Sequence, residues 1–220
     1  ADSASNEVEE VVVTGSRVRG TAPIGSAVTT LGREEITSSP QVSLDRIIKD
    51  LPQNFDLGVS ENSRGQSGGA GNIVYGNTVN LRGIGPYATL VLVDGHRTVN
   101  NSRSIDPSML PTLGVERVEV VADGASAIYG SDAVAGVVNI IPRRTLNGVE
   151  AFGRYGFSTE GGYSENVVGG AWGKVTGRGQ VMLAYEHAFK SNLSGDDRSF
   201  FVNDQRSFGG RDFRVTRCNP

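Results

Sequence analysis

A chain of 220 residues carrying a net charge of −3 is long enough for one or two domains and lacks the basic balance that nucleic acid demands. Its one cysteine excludes an internal disulfide and a zinc site built on cysteines. No apolar run approaches the ~20 residues of a membrane-spanning helix. The 30 glycines are about twice ordinary usage and follow no collagen period, so they serve turns, close backbone approaches or barrel strands.

In chain order, Ala1 to about Ser16 reads as disordered except for one extended stretch. There Val11, Val12 and Val13 stand behind Glu9 and Glu10 and before Thr14; three β-branched residues in a row favour a strand, and nothing ahead of them can pair with it. The opening Ala-Asp-Ser resembles what a signal peptidase leaves behind. Ala27 to Ile36 is expected as a short strand leading into a turn. SLDRIIKDLP predicts a helix: Ser43 is the N-cap, Leu44, Ile47, Ile48 and Leu51 form one stripe, and Pro52 ends it. Residues 58–77 are a loop by composition.

TVNLRGIG (78–85) reads as a strand and TLVLVDGHRTV (89–99) as a hairpin turned at Asp94-Gly95. Asp106-Pro107 opens a short helical turn closed before Pro111. VERVEVV is an alternating strand, ASAIYG a short helix stopped by Gly130, and GVVNIIP a buried strand ended by Pro142. Interleaved short strands and helices up to about Arg144 imply a compact α+β domain.

The pattern then changes. Val149, Ala151, Gly153, Tyr155 and Phe157 share one face of an alternating segment, with Glu150 and Arg154 opposite. Glu165 to Trp172 is a second such segment. In a third, Val181, Leu183, Tyr185 and Phe189 oppose Gln180, Glu186 and Lys190. Each is about as long as a tilted bilayer-crossing strand, with aromatics towards segment ends. An ordinary antiparallel sheet with one wet face has the same periodicity.

Catalytic constellations are missing. His96 and His187 lie apart inside strand patterns, with His96 an exposed hairpin residue. Ser126 lacks the second glycine of a nucleophile elbow. The glycine loops around Gly68 and Gly83 have no P-loop lysine. Asp196-Asp197 reads as a solvated pair. No enzyme activity, cofactor or metal site is expected.

Taken in order, the acid-Val-Val-Val-Thr stretch, LDRIIKDLP, NLRGIG, TLVLVDGHR, IDPSMLP, VERVEVV and GASAIYGSDAVAGVVNIIPRR resemble the plug domain of a TonB-dependent outer-membrane transporter. The resemblance runs from Glu9 to about Arg144 and is most specific from Val115 to Arg143. It implies an α+β plug domain followed by antiparallel transmembrane β-strands of a large outer-membrane β-barrel of about 22 strands. The implied division is a flexible segment with a TonB box (1–16), the plug (17–146), and the start of the barrel with an extracellular loop (147–220). Only about three strands fit here, and three cannot close, so the chain is expected to be a piece of a longer protein or one piece of a nicked one.

The resemblance further implies energised uptake of a scarce solute, with an iron-siderophore complex as the default cargo and carbohydrate or vitamin complexes as alternatives. A plug-like periplasmic binding module without transport is the second class of reading. The implied partners are the periplasmic domain of TonB, outer-membrane lipid and the cargo, in a Gram-negative bacterium. Glu10, Val11, Val12, Val13 and Thr14 match the TonB box, captured as an added strand. Arg64, Tyr75, Tyr87, Asn100, Asn101 and Arg103 lie in segments matching the outward, substrate-binding loops. Arg82, Glu116, Arg117 and Glu119 are the expected plug–barrel ion pairs. Ser158 to Gly162 is expected as an outside turn and Lys174 to Arg178 as a periplasmic one. Tyr185 would face lipid, while Glu186, facing the lumen, would tolerate lysine better than Tyr185 tolerates arginine. Cys218 would bond to a cysteine beyond Pro220.

Overall fold

The computed structural model describes residues 27–55, 77–98, 105–193, 197–198, 202 and 204–210. The chain divides into two units, Ala1–Ala151 with Gly169–Glu186, and Phe152–Val168 with His187–Pro220.

The first unit is built on five short strands: β1 (Val28–Leu31), β2 (Thr89–Val93), β3 (His96–Arg97), β4 (Val115–Val121) and β5 (Gly136–Pro142). Their order in the sheet is β1-β4-β5-β2-β3; β5 runs parallel to β2 and antiparallel to β4. Central position explains composition. Val118, Val120 and Val121 of β4 and Val137, Val138 and Ile140 of β5 are all buried, because a strand covered on both faces needs apolar residues at successive positions. The alternation read in VERVEVV is therefore incomplete. Its Glu119, opposite Asn139, is fully buried.

The Asp94-Gly95 turn has positive φ at both residues, 52° and 75°, the type I′ geometry that follows strand twist. Gly136 has φ 142°, and a Cβ there would stand 2.3 Å from the Val121 carbonyl oxygen, so only glycine lets β4 and β5 approach.

Helix α2 (Leu44–Lys49) buries the stripe of Leu44, Ile47, Ile48 and the following Leu51. Ser43 holds the N-cap position in extended backbone, but its hydroxyl makes no capping bond. A further helix, α1 (Arg33–Ser38), replaces the expected turn after β1. The amide of Gly32 donates to Glu35 Oε2 at 2.8 Å, half of a capping box, and Glu34 and Glu35 suit the positive end of the helix.

TVNLRGIG is not a strand; one bridge, Leu81 to Asn54, is all the pairing it has among the described residues. Side chains take over the ladder's bonds. The Asn80 amide donates to Asn54 Oδ1, Leu81 N to Thr89 Oγ1, and Gly85 N to Asn80 Oδ1. Arg82 sits at φ 57°. Asp106 caps the turn Pro107–Met109, accepting from the Ser108 amide at 2.9 Å. Helix α3 (Ser126–Tyr129) stops at Gly130, φ 85°.

Three longer strands follow: β6 (Gly148–Phe157), β7 (Ser164–Thr176) and β8 (Gly179–Lys190), paired in that order. They have 10, 13 and 12 residues, matching or slightly exceeding the 9–11 of a tilted spanning strand. The β7–β8 turn is shorter than expected, Gly177-Arg178 alone. The period-2 faces hold. Val149, Tyr155, Phe157, Val168, Trp172, Val181, Leu183, Tyr185 and Phe189 are exposed, whereas Val167 and Ala171 are buried. No described helix is long and apolar enough to cross a membrane.

In the second unit Tyr163 Oη donates to Glu165 Oε2 at 2.7 Å, and Arg198 binds the hairpin tip through Gly161 O and Ser158 Oγ, both at 3.0 Å.

Candidate functional site

Glu150, the third residue of β6, points to the inner row of its strand. Two arginines from the preceding domain converge on it. Arg33, the first residue of α1, donates Nη2 to Glu150 Oε2 at 3.0 Å. Arg143, just past β5, donates Nη1 to Oε2 at 2.7 Å and Nη2 to Oε1 at 2.8 Å, a bidentate fork. Glu116 stands 4.0 Å from Arg143 Nε, so two cations face two carboxylates. Its hydrogen bond to Glu150, with the charges of Glu150 and Glu116, holds the Arg143 guanidinium above its ordinary value against the opposing effect of burial.

The turn Thr112–Gly114 lies in the same network. Arg33 Nη1 donates to the carbonyls of Thr112 at 3.0 Å and Val115 at 2.8 Å, and the Arg143 amide donates to Gly114 O. From the other side, Glu186 Oε2 of β8 accepts both the Thr112 amide (2.9 Å) and its hydroxyl (2.7 Å). Inner-row carboxylates of the first and third long strands thus hold one turn of the preceding domain, Glu186 directly and Glu150 through Arg33 and Arg143. Gly173 of β7 adds a close approach: a Cβ there would come within 2.5 Å of Leu146 O. The arrangement holds one element against others; among the described residues there is no group of metal-ligating side chains.

Among the described residues, the four residues expected in plug–barrel ion pairs make contacts within the plug. Arg82 donates to the Ala135 and Val134 carbonyls at 3.1 and 2.9 Å, bracing its own domain. Arg117 and Glu119 pair with each other at 2.9 Å within β4. Glu116 stands beside the Glu150 cluster, 4.0 Å from Arg143 Nε. Arg33, Arg143 and Glu150 were not singled out in the sequence, and one signal was legible: a carboxylate on the inner row of an otherwise alternating strand needs a cation or hydrogen-bond donors in reach. Glu186, expected to face the lumen, is engaged by two donors of the buried Thr112. Tyr87 sits half-buried in the turn Pro86–Ala88. Arg64, Tyr75, Asn100, Asn101, Arg103, the five box residues and Cys218 lie outside the described residues.

A family model for the TonB-dependent receptor plug domain matches residues 22–137, more than half of the chain. The chain belongs to that family. TonB-dependent receptors reside in the outer membrane of Gram-negative bacteria, and so does this one; the family consists of receptors and transporters, not of enzymes. This TonB-dependent receptor chain is 35% identical over 134 residues to a vitamin B12 transporter of Vibrio vulnificus, covering 60% of this chain and 20% of that protein. It is 32% identical over 189 residues to a vitamin B12 transporter of Photobacterium profundum, covering 80% and 28%. The chain therefore spans less than a third of the curated relatives it matches.

Among solved structures, the ferric enterobactin receptor of Pseudomonas aeruginosa aligns with TM-score 0.60 at 24% identity, over 82% of this chain and 26% of that one. A siderophore receptor of Acinetobacter baumannii aligns with TM-score 0.56 at 24% identity, over 73% and 24%. Both likenesses establish the fold: a plug followed by antiparallel strands of a barrel receptor.

Proposed function

We propose that this chain is the plug and first barrel strands of a transporter that takes up a scarce solute across the outer membrane, energised through TonB. The observation that carries the reading is the joining of the plug to strands with an apolar outer row by inner-row Glu150 and Glu186. A free periplasmic plug has no use for bilayer-length strands exposing Tyr155, Phe157, Trp172 and Tyr185, which suit lipid and its interfaces.

In this reading residues 1–16 hold the TonB box, 17–146 form the plug, and 147–220 begin the barrel. Glu10, Val11, Val12, Val13 and Thr14 pair with TonB as an added strand, main-chain bonds supplying the affinity. Arg64, Tyr75, Tyr87, Asn100, Asn101 and Arg103 meet the cargo. Their tyrosines and asparagines suit a polar organic molecule, and their arginines an anionic one.

Two cargoes follow. An iron-siderophore complex is the family default. A vitamin B12 complex has equal standing, because it is what both curated relatives are named for. Uptake of each labelled compound is measured in cells expressing the full-length protein, with and without TonB. Transport of one, lost without TonB, is expected; uptake of neither, or uptake indifferent to TonB, contradicts the reading.

A further inference from the structure

We propose that Arg33 is the release catch of the plug: of the two arginines sharing Glu150, it is the one that lets go when the N-terminal segment is pulled. The proposal rests on the reading that TonB pulls on that segment.

Chain order comes first. Tension entering from the N-terminus meets β1, then Gly32, then Arg33 at the start of α1. β1 is an edge strand of the described sheet, held by four register pairs to β4, Val28 with Val121 through Leu31 with Val118. Arg33 is therefore the first side chain in the described path that ties the moving end to the turn and to a barrel strand. One guanidinium binds three acceptors: Thr112 O, Val115 O and Glu150 Oε2.

Charge accounting decides which contact yields. Withdrawing a lone partner strands a buried carboxylate, which is strongly disfavoured. Here it does not. When Arg33 leaves, Arg143 still engages both oxygens of Glu150. The Thr112 turn likewise keeps both bonds to Glu186 and the Arg143 amide keeps Gly114 O. Arg33, with 22% of its side chain exposed, has water to move into. Arg143 differs in position: it lies seven residues ahead of Glu150 in the connection to β6, with β5 between it and the pulled end. A carboxylate shared by two arginines so placed permits release in sequence: β1 and α1 first, the Arg143–Glu150 fork later. Arg33 is a positioning residue that sets the threshold of the first step.

The test pulls the full-length transporter in nanodiscs by a handle at its N-terminus, and records the forces of the first and second extension events. Arg33→Gln is expected to shift the first event to lower force while leaving the second and the thermal melting of the barrel unchanged. Arg33→Lys, which keeps the charge but not the fork, falls between Gln and wild type. Arg143→Gln lowers the second event and not the first. Glu150→Gln, which removes the charge both arginines share, lowers both, and serves if Arg143→Gln fails to fold. A first event unmoved by Arg33→Gln, or lowered by Arg143→Gln, overturns the proposal. The same variants are pulled through a captured TonB fragment. If the handle extends the plug and the fragment never does, the box assignment fails while the catch stands on the handle traces.

Discussion

Thr112 gives both its donors to a single oxygen of Glu186: the amide lies 2.9 Å and the hydroxyl 2.7 Å from Oε2. Thr112 is buried, so neither donor has water as a ready substitute. Glu186→Lys replaces an acceptor by a third donor and leaves both unsatisfied. The cost is about 1–3 kcal/mol per stranded group. Glu186→Gln keeps an acceptor and should lose less. Urea unfolding of the full-length barrel carrying each variant measures the order; lysine tolerated as well as glutamine would remove Glu186 from the interface.

The Arg33–Glu150 and Arg143–Glu150 pairs lie between the exposed and the buried extremes, with Glu150 37% exposed and Arg143 16%. Each coupling energy should fall between the ~0–1 kcal/mol of surface pairs and the ~3–5 kcal/mol of breaking a buried one. Double-mutant cycles with Glu150→Ala should give the larger coupling for Arg143, whose fork reaches both oxygens. Equal couplings would mean that the bidentate geometry carries no weight.

Tyr185 is 70% exposed on the outer row of β8, directly beside the inward Glu186. Tyr185→Arg should destabilise the barrel by about 2–4 kcal/mol if the position lies near the middle of the bilayer, and by less near an interface. Reconstitution yield and unfolding in lipid measure this. A neutral effect would contradict the assigned outer face.

Gly136→Ala forces a Cβ to within 2.3 Å of Val121 O and 2.8 Å of Leu81 Cδ1, at a φ of 142° that L-residues avoid. Overpacking of this kind costs about 1–3 kcal/mol, occasionally more. The loss should appear in plug protection by hydrogen exchange before it appears in the barrel.

Local signals carried most of the fold. The stripe of α2, the Asp94-Gly95 turn, the Asp106-Pro107 cap and Gly130 are each set by residues within a few positions, and each is found in place. TVNLRGIG is not a strand because side chains from elsewhere in the chain take its backbone amides, Asn54 that of Asn80 and Thr89 that of Leu81, which no local pattern announces. Helix α1 was missed because its one clear signal, Glu35 reaching back to the Gly32 amide, is a capping box without a serine or threonine. The Glu150 cluster escaped the sequence for a different reason. Arg33 and Glu150 are 117 residues apart, and sequence marks which residues are charged without saying which long-range neighbour each one meets.

The central claim is that this plug is moved through a strand captured by TonB. Val12→Pro tests it most directly, because proline removes a backbone donor and fixes φ, and so spoils an added strand while leaving the cargo loops unaltered. In cells expressing the full-length variant, surface binding of the cargo and its uptake are measured side by side. The account predicts binding at the wild-type level with uptake abolished; uptake at the wild-type rate would contradict it.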